Sequence, residues 1–393
     1  MSAQVTQINN GTNSVVSKEW FKRGPDERYT SLTALAAQRR YQREHSKQLV
    51  TTNRSLTVVP STTDLFDIAL TRTENGKTGI PVNFTHWSFS QLSALASVPA
   101  GYMRSGIPGP LVADCMNWGL QQARSVDEIG ILLRRDPDTN QASIAAATGP
   151  NYGRIWDFDV TDELVHQFGD GVSGDWRVPG EFGKRVNITK ENTTIYGSDR
   201  DMWIFLADET NRVEIPNRRN GQSGSFARGF YISNSEVGFK KYTLGAFLFD
   251  YACGNRILWG VQEQVEISFK HTKGAPDKWK EEVKPILAQL ARTDISAKPF
   301  EETLKAAQAA KIKGDVEEFL SKRFGKINTS ALLTQHMVEE DHPIETIFDA
   351  VTAATAYAKS LTHQDARTEL EREAGKLLIP FSPSKQRELV RIN

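Results

Sequence analysis

The chain has 393 residues with 48 basic and 48 acidic side chains; this balance excludes a uniformly basic nucleic-acid coat but leaves room for one basic face. Apolar and charged shares of 39% and 24% exclude a fibrous repeat and wholesale disorder. Two distant cysteines, Cys115 and Cys253, exclude a disulfide framework or a cysteine zinc set, and suit reduced, buried thiols.

Residues 1–30, rich in Ser, Thr, Asn and Gln, predict a disordered tail without a secretory leader. Ser31 is placed to cap a helix through "LTALAAQRRYQREHSKQL", whose Arg39, Arg40, Arg43 and Lys47 form a solvated face. Asn75-Gly76 predicts a hairpin turn. Thr85 or Ser88 caps the next helix, which runs to Pro99, and another follows Pro108 and Pro110, with Cys115 in the core. "EIGILLRR" and "QASIAAAT" predict a second hairpin around "DPDTN". A helix capped at Thr161 follows.

From Trp176 to about Lys273 short strands dominate: "KRVNITK", "DMWIFLAD", "GFYISN", "YTLGAFLFDYAC" and "QVEISFKH". Between the second and third, "NRRNGQSGSFARG" reads as an exposed loop. After Gly274 helical patterns take over: "KWKEEVKPILAQLAR", "FEETLKAAQAAKI", "DVEEFLSKRFG", "PIETIFDAVTAATAYAKSL" and "DARTELEREAGKLL". The expected fold is α+β: a mixed, largely antiparallel β core with flanking helices over 31–273, then an all-helical region over 274–393. The most apolar window, 243–261, holds Asp250, Asn255 and Arg256, which speaks against a membrane span and for the cytoplasm.

Several motifs lack the parts their chemistry needs. "NGKTG" has Thr71 where a phosphate loop requires glycine, and it sits at a hairpin tip. "DPDTNQASIAAA" has Gln141 and Ala147 where a calcium loop requires Gly and Glu. The seven histidines show no ligand spacing, and no nucleophile elbow is present. Asp199, Asp201 and Asp208 are the nearest thing to nuclease acids, with turn and strand-edge roles favoured over catalysis. No catalytic residue, cofactor or metal is expected.

The stretch 217–241 is different. Arg218, Arg219, Arg228, Lys240 and Lys241 interleave with Phe226, Phe230 and Tyr231, the mixture that phosphate contact and base stacking require. Asn234 and Ser235 either donate to phosphate or close an Asx-turn. Arg256, Lys270 and His271 extend the candidate set. The competing reading is a basic loop and tight turn feeding a buried strand. The apolar run after Lys241 reads as a strand covered on both faces, with a helix as the alternative.

Asn234-Ser235-Glu236 with Gly238, the apolar run, Cys253 and Asn255, then Lys270-His271-Thr272 resemble the phage/plasmid-like family carrying domain of unknown function 932. "FSQLSALASVPAGYM", with Gln91 and Leu92, and the C-terminal helices, with Asp349, Ala350, Thr352, Tyr357 and Arg367, add to the resemblance over about 60–380. Ala353 or Ala354 stands where that family carries Asn. The resemblance implies a mobile-element origin beside genes of DNA replication, recombination or repair, and no catalytic set. The expected function is non-enzymatic binding of DNA, single-stranded above all, with annealing in recombination or replication. A homo-oligomer, or a protein partner on the C-terminal helices, accompanies that expectation. The alternative is a phage structural, host-takeover or counter-defence protein that binds another protein.

Overall fold

Ser31 opens the first helix as its sequence predicts, its hydroxyl accepting the Ala34 N–H. The structure is a computed structural model that describes residues 23–62, 64–122, 126–136, 139–179, 187–216, 218, 221–251, 255–257, 266–291 and 298–382. A two-residue strand, β1 (Arg28–Tyr29), precedes helix α1 (Leu32–Glu44). The helix stops short of its predicted end because the next residues, β2 (Ser46–Thr52), pair along β7 (Glu128–Arg135).

The first sheet continues with β3 (Leu56–Pro60), β4 (Ile68–Glu74), β5 (Lys77–Thr78), β6 (Val82–Phe84) and β8 (Ala142–Thr148), in the order β2-β7-β8-β6-β4-β3 with β5 on β4. Only β6–β8 is parallel among the described pairs. Asn75 and Gly76 both have positive φ, 51° and 75°, so the predicted hairpin turn is of the primed kind. Helices α2 (His86–Leu95, capped by Thr85), α3 (Ala100–Met103) and α4 (Gly109–Gln122) follow; α2 and α4 bury Phe89, Leu92, Val112, Met116 and Leu120 against Val58, Leu70, Ile131 and Ile144. Cys115, expected in the core, lies instead on the outward face of α4, because Val112 and Met116 take the inward positions.

Helix α5 (Asp157–Phe168) begins before the predicted cap; Thr161 is inside it and donates to the Asp157 carbonyl. The second sheet is antiparallel: β9 (Trp176–Arg177), β10 (Ile195–Gly197), β11 (Met202–Ile215), β12 (Gly224–Asn234), β13 (Tyr242–Asp250), β14 (Asn255–Ile257) and β15 (Glu266–Phe269). Its order is β1-β10-β11-β12-β13-β14, with β9 on β11 and β15 on β13. The predicted loop 217–229 is therefore shorter than expected: 224–229 belong to β12, paired with β11 in a long bulged hairpin. Of "KRVNITK", 184–186 lie outside the described residues and 187–190 are not strand.

The alternation of β13 is apolar on both sides, and both faces are covered. Ile204, Leu206, Phe230, Ile232 and Leu244 pack with α1 and α5. Trp203, Phe205, Tyr231, Phe247 and Phe249 form an aromatic layer on the other face. Gly245 pairs with Tyr231 across the strands, and a Cβ there would lie 2.4 Å from the Tyr231 ring, so the aromatic layer requires the glycine.

The C-terminal helices begin with α6 (Ala275–Lys278), a π turn (Trp279–Val283) and α7 (Lys284–Leu290), where Pro285 lacks the N–H that would continue the α ladder. Then come α8 (Lys298–Ala309), α9 (Val316–Phe324), α10 (Lys326–Glu340), α11 (Ile347–Ser360) and α12 (Gln364–Lys376). Helix α10 has no counterpart among the sequence expectations; its apolar positions are interrupted by Asn, Thr, Ser and Gln. Helix α11 is buried nearly all round, the signature of a central helix. Helices α8 to α12 share a core with Ile215, Phe226, Leu248 and Ile257 of the second sheet, while α6 and α7 pack in the core of Ile204, Phe230 and Leu244. No helix among the described residues is long and apolar enough to cross a membrane.

Candidate functional site

The Asn-Ser-Glu-Val-Gly turn after β12 is a junction of backbone and side-chain hydrogen bonds. Asn234 Nδ2 donates to the Ile155 carbonyl at 2.9 Å and to Asp157 Oδ1 at 2.8 Å. Ser235 Oγ donates to the Arg200 carbonyl at 2.6 Å and accepts the Phe239 N–H at 2.9 Å. Glu236 Oε1 accepts the Asp157 N–H at 2.7 Å, and Oε2 pairs with Arg134 of β7. The Val237 carbonyl accepts from Gln91 at 2.7 Å and Trp87 at 2.9 Å, both on α2. One turn thus ties the first sheet, α2, α5 and the second sheet together.

That arrangement corrects most of the expected nucleic-acid contacts. Asn234, Ser235, Phe226 and Tyr231 are buried, and the Tyr231 hydroxyl is met by Arg372 at 3.1 Å. Arg228 is buried against Asp208, at 2.7 Å. Arg218 is buried between Asp250, at 2.8 Å, and Glu340. His271 is buried and donates Nδ1–H to the Gly153 carbonyl at 3.2 Å. Lys240 is half-buried between Asp365, at 2.6 Å, and Asp201, at 3.3 Å, above the Trp203 ring. These cations face carboxylates because an unpaired ion in a dry interior costs several kcal/mol. Only Lys241 and Lys270 of the set are exposed; Arg219 and the side chain of Arg256 lie outside the described residues.

Asp199, Asp201 and Asp208 each face basic side chains, with Arg200 shared by Asp199 and Asp201. Burial alone would raise the Asp201 carboxyl, but Arg23, Lys240 and Arg200 outweigh it and hold it well below the usual range. Asp208 is held by Arg228, and Asp199 faces Arg200 at 3.7 Å. Asp157, by contrast, is pushed up to about 7 by burial and by Glu236.

A buried cation without a hydrogen-bonded carboxylate among the described residues is found in the segment between β8 and α5. Arg154 is 7% exposed, and its Nε and Nη1 have no hydrogen-bond partner among the described residues. No carboxylate among the described residues forms an ion pair with it, although Glu236 attracts it at longer range; burial lowers its guanidinium to about 10, so it remains a cation at neutral pH. It lines a cavity of about 160 Å³ with Gln48, Gly130, Thr148, Gly149 and Tyr152. Around it runs a stack: the Arg43 guanidinium lies 4.0 Å from the Trp156 ring centre, Arg154 lies 5.5 Å from Trp156 and 5.1 Å from Tyr152, and Tyr152 stacks on His271 at 5.0 Å. Gly153 permits the close approach, since a Cβ there would sit 1.9 Å from the Thr272 carbonyl oxygen.

Sequence reasoning missed this site. Its one signal was the spacing of Tyr152, Arg154 and Trp156 at every second position, the pattern that places side chains on one side of an extended segment.

His271 contributes a pH dependence. Burial first, and Arg154 next, lower its imidazole from 6.5 to about 4. The fold therefore favours the neutral ring: the contribution is complete above about pH 6.5 and is lost as pH falls toward 4. His271→Gln keeps an N–H donor for Gly153 and removes the titration. Denaturant unfolding between pH 4 and 7 should show a slope shallower in the variant by up to about 1.4 kcal/mol per pH unit. An identical slope in both proteins would contradict this account.

Compared with protein-family models, curated proteins and solved structures, the chain matches none, so the functional reading rests on geometry.

Proposed function

We propose that this protein binds single-stranded nucleic acid without enzymatic chemistry, in the DNA metabolism of a phage or other mobile element in a bacterial host, and that the site is the Arg154 cleft. The observation that carries the reading is the enclosed Arg154 guanidinium with no hydrogen-bonded or ion-paired carboxylate among the described residues. Buried charges are retained when paired, and a phosphate would complete this one. Trp156 and Tyr152, half-buried and stacked on Arg43 and His271, hold the Arg154 guanidinium in place at the cleft. The exposed Arg40, Arg43, Lys47, Lys270 and Lys273 supply cations on the adjoining segments, with overall charge still balanced.

The test is fluorescent single-stranded and duplex DNA binding across a salt series, with annealing of complementary strands read in parallel. Arg154→Ala should weaken binding by roughly tenfold or more and make the salt slope shallower by about one. Its thermal midpoint should stay level or rise, because the variant removes an unpaired buried ion. Trp156→Ala removes the ring that Arg154 and Arg43 rest on and should weaken binding with little change in slope. Absence of binding at low salt, or an unchanged slope in Arg154→Ala, would overturn the proposal.

A second reading, a protein that binds another protein, is favoured by the outward face of α4. There Leu111, Cys115 and Trp118 recur at helical spacing, with Trp118 70% exposed. It becomes the leading reading if the DNA series shows no binding.

A further inference from the structure

Helix α10 brings His336 to its last turns, Asp341 reverses the chain in a left-handed conformation with φ 63°, and Asp349 stands in the first turn of α11. His342 lies in the connection between them. Three residues dispersed in sequence are thereby gathered: one ligand atom from each of His336, His342 and Asp349 lies within 4.8 Å of the others. We propose that His336, His342 and Asp349 bind a divalent first-row transition ion of the Zn(II) type.

The hydrogen bonds around the three residues leave one donor atom on each without a hydrogen bond among the described residues. His342 Nδ1 is 2.9 Å from the Pro343 carbonyl, which only accepts, so Nδ1 carries the proton and Nε2 the lone pair. His336 Nδ1 is 3.5 Å from Thr352 Oγ1, whose own proton goes to the Asp349 carbonyl at 3.0 Å. The His336 proton therefore belongs on Nδ1, and Nε2 is again the lone-pair nitrogen. Nε2 of His336 is enclosed with no partner among the described residues, and the residue is 1% exposed. Both hydrogen bonds to the Asp349 carboxylate, from Glu345 N at 3.0 Å and Thr346 N at 2.8 Å, fall on Oδ2, leaving Oδ1. Histidines that ligate metals characteristically donate their other N–H to an oxygen in this way.

The donor set selects the ion. Two imidazole nitrogens and one carboxylate suit Zn(II) and its neighbours, whereas Mg(II) and Ca(II) demand oxygen ligands. The rings stand nearly perpendicular, at 80°, with centres 5.0 Å apart. Three protein donors leave a coordination position for water. The ion would clip the end of α10 to the start of α11, and it would supply the partner that the enclosed His336 nitrogen lacks.

The experiment uses the untagged full chain, stripped with chelator and titrated with Zn(II) by calorimetry and with Co(II) by visible absorption. Binding at one ion per chain with a four-coordinate Co(II) spectrum is expected, and Mg(II) should not compete. His342→Ala, a half-buried loop position, should weaken binding by more than the roughly 10–100-fold that loss of an outer-sphere partner brings. The thermal midpoint should rise with Zn(II) in the wild-type chain and not in His342→Ala, with circular dichroism verifying that the variant folds. No stoichiometric binding, or binding unchanged in His342→Ala, overturns the proposal.

Discussion

Replacing Glu236 with alanine should destabilise the folded chain by about 3–5 kcal/mol, the range for breaking a buried ion pair from one side. Two losses coincide. Arg134 keeps its charge in the interior without the carboxylate that now faces it. The Asp157 N–H loses the oxygen 2.7 Å away that caps α5. Glu236→Gln retains an acceptor for that N–H but no charge for Arg134, so its loss should fall between alanine and wild type. Urea unfolding of the three proteins provides the comparison. A loss below about 1 kcal/mol in the alanine variant would mean that the turn does not tie the two sheets as described.

The second large effect is expected at Arg218. Its side chain is 3% exposed and holds Asp250, 1% exposed, at 2.8 Å and Glu340, 5% exposed. Arg218→Met fills similar space but leaves two carboxylates facing each other in the core, and a loss of about 3–5 kcal/mol is expected. The sign of its pH dependence follows. Arg218 now holds the Glu340 carboxyl below its usual range against the opposing effect of burial; without the cation that carboxyl shifts upward, so the deficit should shrink as pH falls and it takes up a proton. Replacing all three by apolar residues should recover most of the loss, because burial of the ions is itself unfavourable. Denaturation midpoints at pH 7 and pH 5 test both statements; a deficit that grows at low pH would refute the triad.

These two residues also mark where reading the chain locally stops working. Arg218 looked like a cation on an exposed linker, and Glu236 like a turn residue beside a phosphate-binding Asn-Ser pair. Neither appearance was unreasonable, because composition reports which groups are present and not which groups face them. Arg228 lies 20 residues from Asp208 and is neutralised across a hairpin. Arg154, chemically the same, meets no carboxylate among the described residues. The His336–His342–Asp349 group was hidden similarly: its members occupy a helix end, a connection and the next helix start, at no recognised ligand spacing.

What the sequence by itself determined are the features whose energetics close within a few residues. Ser31 and Thr85 cap the helices that follow them, Asn75-Gly76 makes its primed turn, and the doubly apolar run at Tyr242–Asp250 is a strand covered on both faces. The α+β class follows from those elements. Tertiary structure alone decided where α5 begins, since the oxygen that caps it comes from Glu236, 79 residues away. It also decided which cations pair with carboxylates in the core and that Arg154 forms no such pair among the described residues. The physical reason is the same in both cases: a buried charge or N–H is settled by its nearest partner in space, and chain separation imposes only the modest, slowly growing cost of loop closure.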